Sequence, residues 1–60
     1  MILKKADIIR KVYSDYPKRE KEMLVRRIFQ YPEKDFLLFV KKATGMNVEI
    51  IRANTYLLKL

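Results

Sequence analysis

The sequence contains no cysteine, no histidine and no tryptophan, with one glycine and two prolines. Without thiols or imidazoles the chain has neither disulfides nor the usual zinc ligands to hold it together. The same gap removes the nucleophile and base pairs on which most hydrolytic and transfer enzymes rely, and Ser14 is the sole serine. A single glycine cannot build a phosphate-cradling loop. The seven acids lie mostly beside bases at helical spacing, a surface pattern and not an acid–base dyad. No enzymatic activity, cofactor or metal is therefore expected. The longest strongly apolar run is "FLLFV", residues 36 to 40, far short of the ~18 residues that a bilayer span requires. "MILKK" carries no leader-like apolar stretch behind its bases, so a soluble cytoplasmic protein without membrane contact is expected. Glycine and proline are too scarce for a linker, which makes residues 1 to 60 a single domain.

What is present is positive charge. Lys and Arg number 14 against 7 Asp and Glu, giving a net charge of +7 and a pI of about 9.9. Such a field attracts polyanions, so nucleic acid, DNA before RNA, is the first partner to consider. The plainer alternative is a solvated surface rich in bases. A chain of this length buries only about 60% of the surface its unfolded form exposes, so a larger protein partner or a homodimer is the expected additional support.

Two stretches, "YPKREKEMLVRRI" from residue 16 and "YPEKDFLLFVKKA" from residue 31, share Tyr-Pro and the valines Val25 and Val40. The shared letters are explained by matched helix starts. Residues 5 to 16 place Ile8, Ile9, Val12, Tyr13 and Tyr16 on one arc at helical period, with Asp7 and Lys11 at i,i+4. Pro17 opens a second helix over 18 to 30, with Leu24, Val25, Ile28, Phe29 and Tyr31 apolar and Arg19, Arg26, Arg27 and Gln30 opposite. In that helix Glu22 is spaced to pair with Arg26. Pro32, the acids Glu33 and Asp35, the bases Lys41 and Lys42, and Gly45 frame a third helix in the order its dipole favours. Phe36, Leu37, Phe39, Val40 and Ala43 face inward there, and Leu38 points out. "FLLFV" also permits a strand, but this framing favours the helix.

The tail "MNVEIIRANTYLLKL" fits two structures. As a helix capped by Asn47 it gathers Ile50, Ile51, Leu57 and Leu58 into a stripe. As a hairpin it turns at Ala53-Asn54, a weaker turn signal than Asn-Gly. The helix is preferred, giving an all-α bundle of three to four short helices. The alternative is two or three helices with a C-terminal β-hairpin, a winged-helix-like arrangement.

"VKKATGMNVEIIR" resembles helix-turn-helix regulators through Thr44, Gly45, Met46, Asn47 and Ile51. That resemblance implies a recognition helix beginning near Val48, Glu49 and Arg52 and so a DNA-binding protein. Lys41 and Asn54 depart from the small and apolar residues such motifs carry at those places. The first half, "KKADIIRKVY" and "KREKEMLVRRIF", is similar to the opening helices of the HU and integration-host-factor family through residues such as Lys5, Ala6, Asp7, Ile8, Ile9, Leu24, Val25 and Phe29. That likeness implies dimerisation, while the chain is too short for the family's DNA-gripping β-arms.

Arg19, Arg26 and Arg27, joined by Lys41, Lys42 and Arg52, are the expected nucleic-acid contacts, since phosphates ask only for suitably spaced positive charge. An accessory subunit docked on a larger nucleic-acid enzyme such as a polymerase is the rival reading. Its partner contacts would be Leu38, Phe39 and Tyr56.

Overall fold

The computed structural model describes residues 1–60, and it corrects the all-α expectation. Three helices pack on one face of a three-stranded antiparallel sheet, in the chain order β1 (Ile2–Lys4), α1 (Lys5–Val12), α2 (Lys18–Phe29), α3 (Glu33–Thr44), β2 (Asn47–Arg52) and β3 (Thr55–Lys59). The sheet order is β1-β3-β2.

The helices follow their sequence signals. Pro17 and Pro32 immediately precede α2 and α3, in extended conformation at ψ 146° and 147°. Gly45 ends α3 at φ 72°, the left-handed stop that costs glycine nothing. The first helix is shorter than its periodicity predicts. It stops at Val12, and the chain turns through residues 13 to 16, where the Tyr16 amide donates to the Tyr13 carbonyl at 2.9 Å. Pro17 disfavours helical backbone at Tyr16, and Ser14 and Asp15 compete for backbone bonds, so the last turn is lost.

The tail forms the hairpin and not the helix. β2 and β3 pair from Asn47 opposite Lys59 to Arg52 opposite Thr55, with an irregular register between Ile50 and Arg52. Asn54 supplies the positive φ, 56°, that the turn needs. Asparagine tolerates that region better than other side-chain-bearing residues, which lets Ala53-Asn54 serve without glycine. Burial then decides the competition. Tyr56 and Leu58, two residues apart on β3, both point into the helices, 0% and 4% exposed. A helical stripe would have separated them.

β1 has no counterpart in the sequence reading. It pairs with β3 from Ile2 opposite Leu57 to Lys4 opposite Thr55. Met1 extends the ladder, its ammonium donating to the Leu58 carbonyl at 2.9 Å and the Leu58 amide donating back to the Met1 carbonyl at 2.8 Å. The core joins Ile8, Ile9, Val25, Ile28, Phe36, Val40, Tyr56 and Leu58, from all three helices and β3. Within the expected inward set of α3, Ala43 is exposed although it shares the face of Phe36 and Val40, because it lies in the last turn of the helix, past the core residues. No helix is long and apolar enough to cross a membrane.

Candidate nucleic-acid interface

The end of β1, the start of α1, the last residue of α2 and the tip of the hairpin converge around a cleft of about 470 Å³. Lys4, Lys5 and Arg52 line it together with Phe29 and Asn54, and no carboxylate does. The Lys5 amide donates to the Asn54 carbonyl at 2.9 Å, so the positive end of α1 is tied directly to the hairpin tip.

Lys5 forms the floor. Its side chain is 7% exposed, and its ammonium lies 3.7 Å from Glu33 Oε2. It also donates to the Phe29 carbonyl at 3.4 Å, one of the carbonyls that the end of α2 leaves unpaired, and sits 5.2 Å and 4.9 Å from the Phe29 and Phe36 ring centroids. The Tyr56 hydroxyl donates to both Glu33 oxygens, at 2.7 Å and 2.8 Å. Burial, then the hydrogen bond to that carboxylate, pushes the Tyr56 phenol far above its ordinary range. No buried side-chain nitrogen or oxygen lacks a partner. Lys5 is thus neutralised within the fold, and the uncompensated charge of the cleft belongs to Lys4 and Arg52 at its mouth.

The six sequence-predicted cations do not form one site. Arg52 lines the cleft. Arg26 precedes Phe29 by about one helical turn and, with Arg19 seven residues earlier, forms an exposed stripe on α2 that leads toward it. Arg27 lies on another flank of α2, lining a separate groove with Tyr16, Glu20, Met23 and Leu24. Lys41 and Lys42 are exposed near the far end of α3 from Glu33, about 12 Å along its axis. No protein family, curated protein or solved structure matches this chain. The geometry and charge of these groups carry the functional reading by themselves.

The expected ion pairs are also redistributed. Glu22 is taken by Arg10 of α1 through two bonds, 2.9 Å from Nε and 3.0 Å from a terminal nitrogen, and not by Arg26. Asp7 also turns to Arg10, at 3.3 Å, and not to Lys11. The Arg10 hydrogen bond holds Glu22 below the usual carboxylate range, and Glu22 raises the guanidinium in turn. Arg26 is left without an acid partner. Overall, only Lys5, Arg10 and Lys59 among the bases have ion pairs.

Of the expected partner contacts, Leu38 is 57% exposed, but Tyr56 is withdrawn entirely into the core and cannot touch a partner. Phe39 is half-buried in a row of rings, 6.1 Å from Tyr13 and 6.4 Å from Tyr31. The helix-turn-helix reading also falls, since Val48, Glu49 and Arg52 lie on a strand with no recognition helix after Gly45. The residues that sequence reasoning missed are Lys4, Lys5 and Asn54. The signal available was the Lys-Lys pair directly before the first amphipathic segment, where a helix start and a basic cluster coincide.

Proposed function

We propose that this chain is a small non-catalytic nucleic-acid-binding module that holds phosphates at the mouth of the cation-lined cleft. Lys4 and Arg52 are the primary contacts, and the Arg26 and Arg19 stripe continues the path. The observation that supports the reading is a cleft lined by Lys4 and Arg52, neither with an acid partner, and by no carboxylate, in a chain of net charge +7. The helix-end charge of α1 adds to the same field. The contact assigned to Lys4 and Arg52 is to the sugar-phosphate backbone, which asks only for exposed positive charge at a suitable spacing.

The test is fluorescence anisotropy with a labelled DNA duplex over a salt series. Contacts from Lys4, Arg52, Arg26 and Arg19 to about four phosphates give a log K against log salt slope of about −3.6. Lys4→Glu with Arg52→Glu should weaken binding by tenfold or more, on the order of 1.4 kcal/mol, with the circular-dichroism spectrum unchanged. A flat titration at low salt, or an unaffected double variant, overturns the assignment.

A further inference from the structure

The groove along α2 is the one exposed apolar surface whose charges are arranged to match themselves. Although the Tyr13 ring packs edge-on against Tyr16 at 5.0 Å, Met23 is 53% exposed and Tyr16 48%. With the half-buried Leu24 they line a groove of about 240 Å³ that Glu20 and Arg27 also line. Glu20 and Arg27 stand two helical turns apart on one face of α2, about 10 Å along its axis. Neither has an ion-pair partner within the chain, although each is of the sign the other lacks.

The midpoint between Glu20 and Arg27 falls between Met23 and Leu24. A two-fold axis through that point, perpendicular to α2, therefore sets Glu20 against Arg27 of a second copy and Arg27 against its Glu20. The same operation brings Met23 against Met23 and Leu24 against Leu24 of the second copy, on either side of the axis. Parallel apposition would instead face Glu20 with Glu20 and Arg27 with Arg27, so the charges select the antiparallel arrangement. An interface in which one patch meets itself, each contact occurring twice, is the isologous form that closed dimers take.

We infer that α2 packs antiparallel against α2 of a second copy, making the protein a homodimer with Met23 and Leu24 at the dyad and paired Glu20 and Arg27 at its edges. The core gives this dimer a purpose, since only 10 of 60 residues are buried in the single chain. Arg27 belongs to the dyad and not to phosphate. The inference does not rest on nucleic-acid binding and is tested without it.

Sedimentation equilibrium of the full chain should give about twice 7.3 kDa. Arg27→Glu sets four acids around the dyad and should raise the dissociation constant by about tenfold or more. Glu20→Arg alone should do the same with four bases. The exchanged double variant, Glu20→Arg with Arg27→Glu, should restore dimerisation to near its original strength. All these residues are exposed or at the groove rim, so helical circular dichroism should be retained throughout. A monomer at every concentration, self-association that ignores Arg27→Glu, or a double variant as weak as the singles would overturn the antiparallel dimer, and association through another face would give the second of these.

Discussion

Lys5 is the residue on which most of the molecule converges. Its amide holds the hairpin tip, and its ammonium reaches the end of α2 and the start of α3, where Glu33 passes the connection to Tyr56 on β3. A buried ammonium survives only with such compensation, and removing one partner strands the others. Tyr56→Phe takes away the hydroxyl that donates to Glu33 and should cost about 1–2 kcal/mol, read as a lower urea midpoint with an unchanged slope. The phenol also links stability to pH. Its folded pKa is raised above the unfolded value near 10, so its contribution is complete below that value and lost as pH rises through the folded one. An alkaline absorbance titration should therefore show a late tyrosinate step that disappears in Tyr56→Phe. An unshifted set of phenols in both proteins would count against the network. None of this was legible beforehand. Lys5 and Glu33 are 28 positions apart, and their meeting depends on a strand the sequence does not announce.

At the scale of elements, legibility tracks how local the cause is. Pro17, Pro32, the acid-to-base order of the third helix and Gly45 act within a turn or two of where they stand, and α2 and α3 follow them closely. The tail was misread because Ile50, Ile51, Leu57 and Leu58 satisfy a helical stripe as well as a hairpin. The choice was made by long-range burial of Tyr56 and Leu58 and by β1, whose three residues are too few to show a period. The cleft inherited that blindness. Arg52 is a candidate in the sequence through its charge and the helix-turn-helix resemblance, whereas Lys4 is a candidate only through the meeting of β1 with the hairpin tip. Asn54 is the element's weak point, with φ 56° and its carbonyl holding Lys5. Asn54→Ala puts a side chain with no local compensation in that region and should cost about 1–2 kcal/mol. For a domain of this size each kcal/mol lowers Tm by roughly 4–8 °C, which differential scanning calorimetry would resolve, and Asn54→Gly should keep or raise the wild-type value.

For the whole molecule, net charge was legible and its disposition was not. The pairing of Arg10 with both Asp7 and Glu22 concentrates acid around one base and leaves the α2 stripe positive. The two-fold proposed for α2 preserves that asymmetry, since an axis perpendicular to a pair of antiparallel helices carries the Arg19 and Arg26 stripes of both copies to the same face. The reciprocal bonds between Met1 and Leu58 have a different consequence. They bring the two ends of the described chain side by side, so the backbone runs as a nearly closed ring whose seam lies between adjacent strands. Where a ring is cut should then matter little to the finished fold. A circular permutant that joins residue 60 to residue 1 through a short glycine-rich linker and opens between Ser14 and Asp15, in the exposed turn after α1, should fold to the same circular-dichroism spectrum. The cut makes β1–β3 pairing local and α1–α2 packing long-range, so the refolding rate reports which of the two forms first. In stopped-flow refolding, a faster permutant would place β1–β3 pairing in the rate-limiting step and a slower one α1–α2 packing.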